Sequence, residues 1–205
     1  MSNRPIKTHE YKTQLTSHSS GRGEARLFNL KFPRAPLNST LNAQEGKGQP
    51  LKTDAVLSSC RKYRFALWRI WNESKPYAMI IGLNPSTANE KEDDSTITRC
   101  IGFARSWGYG GLCMANLFAF RATEPADMFA ASDPIGPGND EWLIKLADAA
   151  GVVVAAWGND GAHLGRSNEV TLLISDLHCL KINMTGEPAH PLYLKGSLRP
   201  IPLSI

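Results

Sequence analysis

The sequence predicts an α/β protein in which helices cover both faces of a mostly parallel sheet. Short apolar runs typical of buried strands alternate with longer amphipathic segments typical of helices. Three of these runs are almost uninterrupted, at residues 77–81, 112–115 and 152–156. Buried parallel strands have this composition because both of their faces are covered. With a fourth run at 179–182, we expect a three-layer α/β/α domain around a central four-stranded sheet.

The composition excludes several classes of protein. The chain has 205 residues, of which 42% are hydrophobic and 20% charged, as in an ordinary globular domain. No run approaches the roughly 20 apolar residues that span a bilayer, and the first residues lack the apolar core of a signal peptide. The four cysteines are widely spaced and form no Cys-x-x-Cys pair. We therefore expect a cytoplasmic protein with reduced thiols, no metal and no cofactor.

The positive charge is concentrated at the amino terminus. Residues 1–50 contain eight Lys or Arg and three Glu, a balance of +5 within a total of +4. We interpret residues 1–54 as a basic, largely irregular arm, with one short alternating stretch at 25–32, and residues 55–205 as a single domain. A basic arm suits contact with phosphates, although a solvated tail without a partner has the same composition.

The first elements of the domain are predicted from alternation and capping. Residues 63–71 alternate and are rich in aromatics, which predicts a strand at the edge of the sheet or in a hairpin with 77–81. Asp94 or Ser95 is a good amino-terminal cap for a helix that ends near Trp107. Glycines 108, 110 and 111 then stop the helix.

The second half continues the same alternation. We expect a long connection over residues 123–138, a helix over 139–150 with acidic residues in its first turn, and a third helix near 167–177. The strand at 179–182 then leads into a loop that contains His190-Pro191.

Polar or turn-forming residues follow each predicted strand. They are Asn84, Asn116, Trp157-Gly158 and His190-Pro191. Ligands of parallel α/β sheets bind at the carboxyl ends of the strands, so these positions are candidate site residues. Each also has a structural explanation: Asn84 suits a β-turn, and a histidine before proline is commonly a surface loop residue.

Two resemblances connect these positions. Residues 61–194 resemble the DUF1643 family, through Asn84-Pro85-Ser86-Thr87-Ala88, Asn116-Leu117-Phe118, Ala156-Trp157-Gly158 and His190-Pro191-Leu192-Tyr193-Leu194 among others. The four strand-end motifs also resemble the uracil-DNA glycosylase superfamily. Gly82-Leu83-Asn84-Pro85-Ser86 is similar to the Gly-Ile-Asn-Pro-Gly loop of its mismatch-specific branch.

The second resemblance implies a glycosylase-like fold and a role for each matching residue. Asn84 would hold the attacking water, His190 would donate to the leaving base, and Asp93 is a reserve carboxylate. The base would be bound by Asn116, Phe118 and Ser86. Contacts with DNA would come from the following residues: Pro85, Arg99, Arg121, Pro191, Leu192 and Tyr193.

The expected function is that of a monomeric DNA glycosylase that removes a flipped-out, modified or mispaired pyrimidine. The chain departs from the most active branch of the superfamily, which has aspartate at Asn84 and tyrosine at Ser86; a serine usually follows His-Pro, where this chain has Leu192. Two alternatives stay open: a nucleic-acid-binding module without chemistry, and an enzyme that acts on free nucleosides or RNA. DNA is the expected partner in the leading hypothesis, with no membrane association.

Overall fold

A computed structural model describes residues 52–86 and 93–204. The predicted strand at 25–32 and nearly all of the predicted arm lie outside these residues. The α/β class predicted from the sequence is confirmed, with one mixed sheet of seven strands and four α-helices in the described part of the chain.

The sheet is larger than the four strands expected. Its strands are β1 (Lys52–Leu57), β2 (Arg64–Ile70), β3 (Tyr77–Gly82), β4 (Gly111–Asn116), β5 (Val152–Ala155), β6 (Leu177–Cys179) and β7 (Ile201–Pro202). Their order is β1-β2-β4-β3-β5-β6-β7. The pairs β4–β3, β3–β5 and β5–β6 are parallel, and the remaining pairs are antiparallel.

The position expected for β2 is wrong. This strand pairs with β4 on one side and β1 on the other, so it is neither an edge strand nor the hairpin partner of β3. The hairpin is formed instead by β1 and β2, and β1 begins at Lys52. All seven residues of β2 are buried, because the strand lies between β1 and β4 and contributes to the core on both faces of the sheet. The guanidinium of Arg69 in this strand pairs with Asp93 at 2.7 Å.

The helices lie on both faces of the sheet. They are α1 (Ser95–Ser106), α2 (Pro125–Phe129), α3 (Asn139–Ala149) and α4 (Arg166–Leu173). Helix α1 packs Ile97, Cys100 and Phe103 against one face. Helices α3 and α4 cover the other face with Leu143, Leu146 and Val170. Of the two predicted caps of α1, the structure has Asp94, whose carboxylate accepts the Ile97 N–H at 2.8 Å.

The second half differs from expectation in local bounds. The connection at 123–138 contains the short helix α2. Helix α4 ends at Leu173, and β6 begins at Leu177, two residues before the predicted strand. The apolar residues at the end of the predicted helix therefore belong to the turn and strand that follow it.

No helix in the described part of the chain is long and apolar enough to cross a bilayer.

Candidate functional site

The loops that follow β3 and β4 run side by side. Gly82 and Asn116 are register partners at the ends of the two parallel strands. Beyond them, the N–H groups of Leu117 and Phe118 donate to the carbonyls of Gly82 and Leu83. These bonds extend the pairing past the strand ends and fix the position from which the Asn116 side chain projects.

The Asn116 side chain is buried, and its amide donor lacks a partner. Asn116 is 4% exposed, and among the described residues no acceptor lies within bonding distance of its Nδ2. Its Oδ1 packs closely against Gly82, where an added Cβ would lie 3.1 Å from it. An unpaired buried polar group lowers stability, and such groups in native structures often mark functional positions. The amide is thus placed to donate to a ligand.

The backbone that carries Asn116 is held from the opposite face of the sheet. Asn139, at the start of α3, donates from Nδ2 to the carbonyls of Asn116 and Leu117, at 3.1 and 3.0 Å. Arg166 donates from Nε to the Leu117 carbonyl at 3.1 Å. Arg166 is 1% exposed and also contacts the carboxylates of Asp140 and Glu169. These bonds make the Asn116 segment rigid.

Asn84 is anchored to the loop after β4. Its Nδ2 donates to the Ala122 carbonyl at 2.9 Å. This bond orients the carboxamide and leaves Oδ1 as the atom available to accept a hydrogen bond. Asn84 forms no hydrogen bond to Asn116 or His190 within the described residues.

His190 lies beside the ends of two other elements. Its Cβ would lie 3.7 Å from a Cβ added at Gly158, just beyond β5, and the Asp94 carboxylate at the start of α1 acts on its charge. His190 is exposed as a whole residue, but partial burial of its imidazole lowers its pKa, and Asp94 offsets part of this effect by favouring the charged imidazolium. Nδ1 accepts the Leu192 N–H at 3.4 Å, so the neutral imidazole carries its proton on Nε2.

Glu187 fixes the loop that carries His190. Its two carboxylate oxygens accept from the Trp157 indole at 2.6 Å and from the Ser167 hydroxyl at 2.8 Å. The Gly158 N–H also donates to the Pro188 carbonyl at 2.9 Å. The loop is therefore tied both to the end of β5 and to helix α4.

The reserve carboxylate Asp93 is committed to an ion pair. Its Oδ1 accepts from Arg69 Nε at 2.7 Å, and the Arg69 side chain is buried in β2. This carboxylate oxygen therefore serves a structural ion pair with a buried guanidinium. In this arrangement Asp93 anchors the start of α1.

Phe118 offers no surface for stacking. Its ring is fully buried in the core on the α3 and α4 face. Its centroid lies 5.6 Å from that of His163, whose ring also contacts Phe129 at 4.6 Å. The stacking role expected for Phe118 would need a rearrangement of this cluster.

The remaining predicted residues divide between the two sides of the site. Ser86 is half-buried and Pro85 is buried, and Arg121 donates to the Arg61 carbonyl at 3.2 Å on the side of β2. Pro191 is buried, Leu192 is half-buried and Tyr193 is 91% exposed. Arg99 on α1 donates to the Leu194 carbonyl.

The structure therefore brings His190 together with Gly158 and Asp94, and Asn116 together with Gly82. The supporting residues Asn139, Arg166 and Glu187 were not identified from the sequence. Asn139 was recognised only as a helix start, and Arg166 and Glu187 lie in polar stretches without periodicity. No group of three or more His, Cys, Asp or Glu side chains is arranged to hold a metal within residues 52–86 and 93–204.

The fold and the site define an α/β protein in which the parallel strands β3 and β4 end beside two polar side chains, the half-buried Asn84 and the buried Asn116. Residues 64–192 match the family described as Protein of unknown function (DUF1643). Because the match covers more than half of the chain, the protein belongs to this family. No curated protein and no solved structure matches the chain.

Proposed function

We propose that the protein is a DNA glycosylase that cleaves the N-glycosidic bond of a flipped-out, modified or mispaired pyrimidine. The observation that carries this proposal is the buried Asn116 amide, whose Nδ2 has no partner among the described residues. A carboxamide has both a donor and an acceptor, so it can pair with the edge of a base. The resemblance of the strand-end motifs to the uracil-DNA glycosylase superfamily supports the same role.

The chemistry requires charge stabilisation at two places. Negative charge develops on the departing base, and the Nε2–H of His190 would donate to its oxygen. One well-placed donor lowers such a barrier by about 3–4 kcal/mol. Positive charge develops on the sugar, and the Oδ1 of Asn84 would hold a water near it. Asn84 cannot remove a proton as a carboxylate does, so we expect slow turnover.

The small side chain of Ser86 bears on the choice of base. Ser86 occupies the position where the uracil-restricted branch has a bulky side chain. Because an aromatic side chain buries about 150–250 Å², a serine leaves room for a substituent at the five-position of the pyrimidine. We therefore propose a five-substituted pyrimidine, such as a hypermodified base of viral DNA, as a better substrate than uracil.

Two observations favour a second function, that of a nucleic-acid-binding module without chemistry. Asp93 neutralises Arg69, and the Phe118 ring has no exposed surface. Such a module would recognise the extruded base through Asn116 and leave the glycosidic bond intact.

A release assay separates the two functions. The protein is incubated with duplexes that each contain one modified pyrimidine, and free base is quantified by mass spectrometry while binding is followed by fluorescence anisotropy. Release of a five-substituted base faster than uracil, with the order reversed by Ser86→Tyr, supports the glycosylase. Binding without release supports the module, and faster release of uracil by the unaltered protein refutes the preference for substituted bases.

A further inference from the structure

A groove of about 570 Å³ lies between α1 and the C-terminal residues 190–199, which we call the 190–199 segment. This segment follows the helix along its whole length. Near the start of the helix, Arg99 donates to the Leu194 carbonyl. At the end of the helix, the Trp107 indole donates to the Leu198 carbonyl, and Arg199 donates to the Ser106 carbonyl. The lining residues Asp93 and Leu192 place one end of the groove next in the chain to Asp94 and close in the chain to His190.

Two glycines, one on each wall, line the groove. Gly102 lies inside α1, and a Cβ added to it would contact nothing within 4 Å in the described part of the chain. A Cβ on Gly196 would meet only Arg99 Nη1, at 3.7 Å. Neither glycine has a positive φ. Glycine lowers helix stability relative to alanine, and it is used where a ligand approaches the backbone closely.

The available charge in the groove is positive. The Arg99 guanidinium stacks over the Phe103 ring at 5.0 Å, which holds it at the groove wall. Of the two nearby carboxylates, Asp93 is paired with Arg69, and Asp94, which caps the helix, does not line the groove. The exposed residues Lys195 and Arg199 lie on the same segment.

The groove also contains hydroxyl donors. Ser95 and Thr98 line it and are exposed. Hydroxyl groups and arginine are common donors to phosphate oxygens in protein–DNA complexes. The combination of a cation, two hydroxyls and a glycine on each wall suits a chain of phosphates.

We infer that this groove binds backbone phosphates of the DNA strand next to the extruded nucleotide. The inference rests on the proposed function, since it assigns to the groove the strand that continues from the base bound at Asn116. The α1 residues that line the groove run from Ser95 to Phe103, which corresponds to about 13 Å at 1.5 Å per residue. This length matches about four nucleotides of one strand along a duplex axis.

The test adds one negative charge on the α1 wall of the groove, at Gly102. Gly102→Glu is compared with Gly102→Gln, which has the same size without the charge, and with Asn168→Glu, which adds the charge on the exposed face of α4. Binding is measured by anisotropy on a duplex that carries an uncleavable abasic analogue, in 50 and 200 mM salt. Thermal melting of each variant, with Gly102→Ala included, verifies that the fold is retained.

We expect Gly102→Glu to bind the duplex at least tenfold more weakly than Gly102→Gln at 50 mM salt, and the difference to shrink at 200 mM because salt screens the added charge. Asn168→Glu should bind like the parent protein. Equal binding by the Gly102→Glu and Gly102→Gln variants would overturn the inference.

Three further arms separate the sources of phosphate from one another. If inorganic phosphate or a deoxynucleoside monophosphate competes as well as duplex DNA does, the groove binds a small anion and the inference is overturned. Preferential binding of RNA would also overturn it. Because binding is measured without cleavage, it does not depend on base release. If Gly102→Glu weakens DNA binding but no base is released, this inference stands and the glycosylase is rejected. If base is released but the Gly102→Glu and Gly102→Gln variants bind DNA equally, the glycosylase stands and this inference is rejected.

Discussion

At the scale of single residues, Asn116 is the feature that packing alone does not explain. It is buried beside Gly82 at the end of β4, and its Nδ2 has no acceptor within the described residues. An unsatisfied buried donor costs about 1–3 kcal/mol. Proteins keep such groups where they are used in binding, because local inconsistencies of this kind concentrate at functional sites.

This cost leads to a prediction about stability. Replacing Asn116 with leucine, which has a similar shape and no polar atoms, should raise the free energy of unfolding by about 1 kcal/mol because the unpaired donor is removed. Urea denaturation at neutral pH measures this change. A loss of more than about 1 kcal/mol would mean that the amide is satisfied in the free protein, contrary to our description of it.

The titration of His190 is the second prediction at this scale. Burial lowers its pKa and Asp94 raises it, so the imidazole should titrate below its ordinary value of about 6.5. Asp94→Asn should lower the pKa further while keeping a good helix cap. An NMR titration of the imidazole measures both values, and an unchanged or higher pKa in the variant would exclude the electrostatic effect of Asp94 on His190.

The same shift has a defined effect on stability. Because the folded-state pKa of His190 lies below the unfolded value, the unfolded chain binds the proton more readily. The contribution of His190 to stability is therefore complete above about pH 6.5 and decreases as the pH falls from there through the folded-state pKa.

The sequence located the ends of the parallel strands β3 and β4 correctly, whereas the functional roles of the residues at those ends stay predictions. Asn84, Asn116 and His190 follow strands or their loops, so the pattern of apolar runs identified them as candidates. Arg166 and Asn139 could not be identified in this way. Their partners lie 49 and 22 or 23 residues away in the chain, and no local pattern reports a contact of that range.

At the scale of elements, the parallel strands were the most predictable part. Their apolar runs are continuous because both faces are covered. Strand order was less predictable, because β2 joins β4 and leaves β3 between two parallel neighbours. Pairing of this kind depends on which faces must be covered in the folded domain. The sequence of β2 does not contain that information.

The junction of β4, α3 and α4 depends on Arg166. Replacing Arg166 with alanine should lower the free energy of unfolding by about 2–3 kcal/mol, because it removes a buried side chain and a bond to the Leu117 carbonyl. The carboxylates of Asp140 and Glu169 are 45% and 56% exposed and would remain solvated, which limits the loss.

Urea denaturation measures the effect, with Lys181→Ala as a control at an exposed lysine, where a change within about 0.5 kcal/mol is expected. The side-chain amide resonance of Asn116 should also shift in Arg166→Ala and return toward its original position in Arg166→Lys. An unperturbed Asn116 resonance in the alanine variant would show that Arg166 does not position it.

At the scale of the whole molecule, the distribution of charge separates the amino-terminal residues from the domain. Residues 1–50 carry a balance of +5, and the remaining residues carry −1. Removing residues 1–50 should therefore weaken DNA binding and reduce its salt dependence. Each phosphate contact contributes about −0.9 to the slope of the logarithm of the binding constant against the logarithm of the salt concentration. It should leave the melting temperature of the domain almost unchanged.

Anisotropy titrations at several salt concentrations, together with calorimetry, test this prediction. Identical affinity and salt slope for the truncated and intact chains would show that these residues take no part in DNA binding.

The central claim is that Asn116 recognises a base that is then released. The most direct measurement is single-turnover release of free base, quantified by mass spectrometry, from duplexes containing five-substituted pyrimidines. The parent protein and Asn168→Ala, an exposed asparagine on α4, should release base at equal rates, and Asn116→Ala should be slower by at least 100-fold. No release of any base by the parent protein, or equal rates for the Asn116 and Asn168 variants, would contradict the account.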